Sequence, residues 1–300
     1  MIDTRRSTLD TPALALLLGC CMLWGLNQVA TKIALADVPP LTQAALRSAG
    51  AALLLTAWAR WRGIALWQRD GTLAGGLLAG LLFAGEFACI FVGLQYTTAS
   101  RMVVFIYLAP FVVALGMPFI VRGERLAPVQ WLGLALAFGG VAWAFAEGFA
   151  PGHAPASAQQ WIGDALGLAA ALLWGGTTLA IRATRLAAAT PEKTLAYQLV
   201  VSALLLGVAA VAVGETWPQR VGTVAAGALG FQIVVITFAS YLVWFWLVRH
   251  YPATRISAFT LLTPVSGLAA GVVLLGEPLT ARLGIALVAV VLGLVLVNRR

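Results

Sequence analysis

Runs of apolar residues about 18–25 long, the length that spans ~30 Å of hydrocarbon, recur ten times along the chain, near 13–35, 41–59, 72–95, 99–121, 127–146, 162–181, 194–213, 222–248, 254–275 and 281–297. The polar punctuation sits in short connectors between them: "DVPP", "RWRGIALWQRDG", "RGERLAP", "RATRLAAATPEK", "GETWPQR" and "GEPLT". The longest connector, 147–161, is a Pro/Ala/Gly/Ser segment with the composition of a linker. The pattern predicts an all-α integral membrane protein of ten transmembrane helices.

Polar residues that interrupt the apolar runs are repeated. "LWGLNQVATKIAL" starts at Leu23 and "LWGGTTLAIRATRL" at Leu173, an offset of 150. A proline follows inside the fourth and ninth runs (Pro110, Pro264), then Gly123-Glu124 or Gly276-Glu277, then a glycine-rich final run. The whole five-run unit is therefore duplicated, with 1–148 as the first repeat, 149–161 as a linker outside the cytoplasm and 162–300 as the second repeat. Five is odd, so the two copies cross the membrane in opposite senses. Inverted repeats are built for secondary transport, with the solute near the midplane between halves that rock around it.

Composition agrees with the pattern. Only 10% of residues are charged and 61% are hydrophobic, against about 25% and 45–50% in a soluble domain, so the chain has lipid as its solvent. The formal charge of +8 would suggest nucleic acid in a soluble protein, but here its distribution matters more. Arg5, Arg6, Arg60, Arg62, Arg69, Arg122, Arg125, Arg182, Arg185, Lys193, Arg249, Arg255, Arg299 and Arg300 fall on one side, 14 of the 19 basic residues. Positive loops stay inside, which predicts cytoplasmic termini and a multi-pass protein of a bacterial inner membrane. The first run is long, lacks an A-x-A-like cleavage site and precedes nine others, so it reads as a retained helix. Cys20, Cys21 and Cys89 lie within runs and imply no disulfide framework.

Two five-helix units that each end in Pro…Gly-Glu-x-Leu and a glycine-rich span resemble the drug/metabolite transporter superfamily and its EamA-type carriers. Within it, the chain is similar to the bacterial exporters of aromatic amino acids. The resemblance implies ten helices, cytoplasmic termini and a central cavity open to one side at a time. It also implies that the last helix of each half is peripheral or used for contacts in a homodimer.

Depth selects the candidate site. Trp58, Trp61, Trp67, Trp131, Trp143, Trp161, Trp217, Trp244 and Trp246 lie near run ends or in connectors, where interfacial tryptophans belong. Trp24 and Trp174 lie mid-run. Asn27, Gln28 and Thr31 follow Trp24 on one helical face, and Thr177 and Thr178 follow Trp174. These stripes either line a cavity or join helices by hydrogen bonds. Glu86 is a carboxylate near the centre of a run; it either binds an ammonium group or proton, or is a structural residue paired with Arg47 or a hydroxyl. Tyr107 and Tyr241 either stack on a planar solute or pack. Pro110 and Pro264 predict mid-helix kinks suited to gates. Arg101 and Arg255 occupy equivalent positions at opposite faces, where a closed gate would pair them with Glu124, Glu277 or similar groups. Glu124 and Glu277 sit beside helix starts, with Pro128 and Thr280 as first-turn and capping residues. Gly76-x-x-x-Gly80 and Gly267-x-x-x-Gly271 permit close helix contact.

No phosphate-binding G-x-x-x-x-G-K-[ST] occurs, which argues against an ATP-driven pump. His153 and His250 lie near membrane edges and form no metal motif, so no cofactor or metal is called for. A membrane enzyme, receptor or channel has less support than a carrier. The lining predicts a small zwitterionic or neutral, amino acid-like solute, with lipid as the other partner and no nucleic acid.

Overall fold

The computed structural model describes residues 10–120, 127–149, 159–251, 259–260 and 262–297, and among these every regular element is helical. The starts follow local chemistry. The Asp10 carboxylate accepts from Ala13 N (3.0 Å) with a proline in the first turn, opening α1 (Thr11–Ala34). Proline opens α2 (Pro40–Trp61), α6 (Pro128–Phe145) and α8 (Pro191–Ala212). Thr98 accepts from Arg101 N (3.1 Å) ahead of α4 (Ala99–Ile106), and Thr280 accepts from Leu283 N (3.2 Å) ahead of α12 (Ala281–Val297). The remaining helices are α3 (Leu73–Gly93), α5 (Ala109–Ile120), α7 (Gln160–Ala183), α9 (Thr223–Gly230), α10 (Tyr241–His250) and α11 (Leu262–Leu275). A π-helical stretch, Phe231–Ser240, joins α9 to α10.

Helix lies within each of the ten apolar runs. Seven stretches are long and apolar enough to cross a membrane: Thr11–Ala34, Leu73–Gly93, Ala99–Ile120, Pro128–Phe145, Gln160–Ala183, Pro191–Ala212 and Thr223–Trp244. The helices α11 and α12 are shorter apolar helices. The 22-residue α2 is long enough but is diluted by buried Thr42, Gln43, Arg47 and Ser48.

The two prolines do not act as expected. Pro110 does not kink one continuous helix; α4 stops at Ile106 and α5 begins at Ala109. Its missing N–H leaves a carbonyl without a helical donor, and the backbone turns tightly instead, Leu108 N to Phe105 O (3.1 Å) and Phe111 N to Leu108 O (3.0 Å). Pro264 lies in the first turn of α11, where its missing donor costs nothing. Arg255, Glu124 and His153 lie outside the described residues.

Glycines set the packing. A Cβ on Gly76 would strike the Tyr197 ring, and one on Gly80 would come within 2.5 Å of Val201 Cβ, so α3 lies flush on α8. A Cβ on Gly267 would approach Val103 to 2.9 Å and one on Gly271 would strike Ser100, so α11 lies flush on α4. Both small-residue motifs thus mark close crossings. Elsewhere α1 packs on α11, α9 and the π stretch, α2 on α8 and the π stretch, α7 on α3 and α5, and α6 on α12.

At one end of the bundle the ties cross between the two sequence halves. Gly222 N donates to Asp37 (2.7 Å), and Leu41 N and Thr42 N donate to Glu215 (3.0 and 2.7 Å). Glu277 accepts from Ala99 N (2.7 Å), Ser100 N (2.8 Å) and Ser100 Oγ (2.6 Å). At the other end Lys193 Nζ donates to Gln68 O (2.7 Å) and Asp70 (2.8 Å).

Candidate functional site

Trp24 and Thr31 on α1 meet the π stretch, at Ser240 and Gln232, because α1 packs along it. The indole Nε1 of Trp24 donates to Ser240 Oγ (2.8 Å), its ring meets Tyr241 edge-on at 6.2 Å, and Trp244 lies at 5.0 Å. Trp244 is therefore not only an interfacial residue, since its ring packs against the deep tryptophan. The second pair forms across the α4–α5 break, where Tyr107 meets Trp174 edge-on at 5.7 Å. The four aromatic candidates thus form two edge-to-face pairs. Part of each ring is engaged by its partner, and Trp24 and Trp174 are only half-buried.

The polar stripes behave differently in the two halves. Thr177 Oγ1 donates to Leu173 O (2.8 Å) and Thr178 Oγ1 to Trp174 O (3.2 Å), so both hydroxyls are satisfied within α7. Asn27 Oδ1 and Gln28 Oε1 are buried and accept nothing. Thr31 donates to Asn27 O (2.8 Å) and lies 3.4 Å from Gln232 Oε1, and Gln43 Nε2 donates to Thr31 O (3.2 Å). Gln43 Oε1, Ser48 Oγ, Gln232 Nε2 and Thr237 Oγ1 are left without partners. An amide or hydroxyl buried without a partner costs roughly 1–3 kcal/mol, so such a concentration inside a membrane bundle is an unusual expense.

Sequence reasoning treated Arg47 only as a possible partner for Glu86. It is fully buried, and its guanidinium lies 3.6 Å from the centroid of the Phe87 ring. None of its three nitrogens has a hydrogen-bond partner, nor has Glu86 Oε2. The two residues are electrostatic neighbours, with Tyr241 beside them, yet they do not close into an ion pair. The signal was present in the sequence: a single arginine two turns into an apolar run, with glutamine one turn before it.

Arg101 pairs not with Glu277 but with Asp164 (Nη2–Oδ2 2.5 Å) and Glu147 (Nη1–Oε2 2.7 Å), and donates to Ala144 O (2.7 Å). All three side chains are nearly inaccessible. Thr97 donates to Asp164 (2.6 Å) and Thr280 to Glu147 (3.1 Å), extending the network. Glu277 serves a helix start, as its position suggested, but it is that of α4 rather than its own α12. Asp164 and Glu147 were missed; both flank the linker on the side where Arg101 breaks the positive-loop pattern.

An apolar groove of about 410 Å³ lies between Leu16, Trp58 and the outer face of the π stretch and α10, lined also by Phe238, Leu242 and Trp246. None of the candidate site residues lines it.

The uncharacterized transporter YvbV of Bacillus subtilis is 28% identical over 287 residues, 93% of this chain and 89% of its own length. Probable amino-acid metabolite efflux pumps of Salmonella typhimurium and Escherichia coli are 29% and 27% identical, each across 86% of this chain and 85% of their own length. A protein of known crystal structure shares the fold with a TM-score of 0.65 and 22% identity, over 96% of this chain and 98% of its own. The model of the EamA-like transporter family matches twice, at residues 11–146 and 161–299. A membrane bundle whose two halves each match that model belongs to the EamA-like transporter family.

Proposed function

We propose that the chain is a secondary transporter that exports small zwitterionic or neutral metabolites, above all aromatic and other large apolar amino acids, across a bacterial inner membrane by alternating access. The observation that carries this reading is the set of buried polar atoms without partners on Asn27 (Oδ1), Gln28 (Oε1), Arg47 (all three nitrogens), Glu86 (Oε2) and Gln232 (Nε2), flanked by Trp24 and Tyr241. Polar groups this deep are expensive unless something binds them. The relatives named as amino-acid metabolite efflux pumps support the solute class.

Ten spans in two inverted repeats, with both termini cytoplasmic, form part of the proposal. Two observations support it. The family model matches each half separately. The helix partnerships also map onto one another when the halves are exchanged: α3 on α7 corresponds to the π stretch on α1, α5 on α7 to α11 on α1, while α2 on α8 and α6 on α12 map onto themselves. In this reading the end tied by Arg101–Asp164, Glu215–Thr42 and Asp37–Gly222 faces outward and is closed. Solute leaves when the halves rock and those ties part, and Arg101, the α4–α5 break at Pro110 and the first turn of α11 at Pro264 lie where that motion is concentrated. Arg255 is proposed as the matching gate residue at the inner end.

Counterflow tests this directly. Vesicles preloaded with unlabelled L-phenylalanine should transiently concentrate labelled L-phenylalanine; a channel or an enzyme gives no overshoot. Stacking in other proteins is worth roughly 1–3 kcal/mol, so Trp24→Ala and Trp174→Ala should each weaken apparent affinity about 5–100-fold. Thr177→Ala and Thr178→Ala should cost less, because their hydroxyls are spent within α7. Normal transport by both tryptophan variants would return those rings to packing.

A further inference from the structure

Resting on that reading, we propose that Arg47 is the anchor for the carboxylate of the transported solute and that Glu86 takes its ammonium group, which makes the substrate class α-amino acids rather than neutral metabolites at large.

The argument starts from how Arg47 is held. Its guanidinium stacks on Phe87, with the carbon 3.6 Å from the ring centroid. Stacking uses the flat face of the group and leaves its five N–H bonds pointing outward in its own plane. Those bonds are what a carboxylate takes up in a two-pronged contact. None of them is used: Nε, Nη1 and Nη2 all lack partners while the residue has no exposed surface. Burying a cation is tolerable only when its donors are met, and Arg101 shows how this chain meets such a demand elsewhere, with two carboxylates and a carbonyl. Arg47 is supported by the protein but not satisfied by it.

The neighbours narrow the ligand. Glu86 Oε2 is likewise buried and unpartnered, one residue before the supporting Phe87, and Glu86 and Tyr241 are the charged or ionisable groups that act on Arg47. A guanidinium and a carboxyl group that sit close without bonding to each other match a solute carrying both a carboxylate and an amine. A phosphate ester fits badly: its second negative charge would need another cation, and Glu86 would repel it. Gln43, one turn before Arg47 on α2, offers an unpartnered acceptor oxygen suited to a remaining N–H bond of an ammonium group. The edge-on pair of Trp24 and Tyr241 adjoins the charges and provides a wall for an apolar side group.

The test uses the full chain in proteoliposomes and competition against labelled L-phenylalanine by unlabelled L-phenylalanine, phenethylamine and hydrocinnamate. Phenethylamine lacks the carboxylate and hydrocinnamate lacks the ammonium group. In the wild type each should compete about 10–100-fold more weakly than L-phenylalanine, the worth of one lost charged hydrogen-bond contact. In Arg47→Gln the phenethylamine penalty should fall to within about threefold while the hydrocinnamate penalty persists. In Glu86→Gln the pattern should reverse. Arg47→Lys, which keeps the charge and should fold where the glutamine variant does not, should retain part of the carboxylate preference. If the wild type carries L-phenylalanine but the carboxylate penalty is the same in the wild type, Arg47→Gln and Arg47→Lys, this assignment is overturned and the transport reading stands. If the wild type carries none of the twenty amino acids, both fall.

Discussion

At the scale of single residues, the two arginines buried among the described residues are treated in opposite ways. Arg101 is enclosed by Asp164, Glu147 and a carbonyl, and removing one member leaves the others charged and dry. Arg101→Leu should therefore cost about 3–5 kcal/mol. A triple variant that also carries Asp164→Asn and Glu147→Gln should recover part of that loss, because the three act as one unit; melting of the purified protein in detergent would show it. Asp70 gives a pH effect. The Lys193 ammonium, helped by the Thr72 hydroxyl, pulls its carboxyl down from the ordinary value to about 2. A depressed carboxylate stabilises the fold fully above its unfolded pKa near ~3.9, and that support is lost as pH falls toward 2. The melting difference between wild type and Asp70→Asn should hold at pH 5 and shrink between pH 4 and 2. Trp24, Glu86 and Tyr107 were legible as candidates because depth within an apolar run can be counted along the sequence. Arg47's isolation and Arg101's two carboxylates were not, because a partner tens of residues away leaves no local mark.

Among the helices, glycines set how closely two of them can approach. A Cβ on Gly133 would meet Gly293 O at 2.7 Å, and one on Gly293 would meet Gly133 O at 2.6 Å, so α6 and α12 touch backbone to backbone. Gly133→Leu or Gly293→Leu should push them apart and destabilise the protein by at least ~1–3 kcal/mol. Gly139→Ala, on the same helix with nothing within 4 Å of the new carbon, should be neutral or raise the melting point slightly. Among the described residues helix lies within each of the apolar runs, since length and hydrophobicity are local properties. The break at Tyr107–Leu108 and the π stretch were not foreseen in that form. A proline announces a disturbance, but whether the chain bends or restarts depends on what packs there, here Trp174 against Tyr107. Nothing in the local sequence of Phe231–Ser240 distinguishes it from an ordinary helix.

For the whole molecule, the first question is which way each end faces. In a cysteine-free background, Trp217→Cys on the α8–α9 connection should label with an impermeant thiol reagent from outside. Trp67→Cys on the α2–α3 connection should label only after permeabilisation. Both residues are well exposed, at 68% and 60%, so silence from either is informative, and the reverse pattern would invert the molecule. Two similar phrases 150 residues apart were visible in the sequence; that α6 lies on α12 became visible only in the fold. That last pairing has a consequence for how the protein is made. The helix α6 leaves the ribosome more than a hundred residues before α12 does, and until then its glycine face has only lipid against it. The first half therefore has to wait in the membrane, inserted but incomplete, while the second is synthesised. A stalled or truncated chain would display that uncovered glycine groove, the kind of surface by which membrane quality control can recognise an orphan.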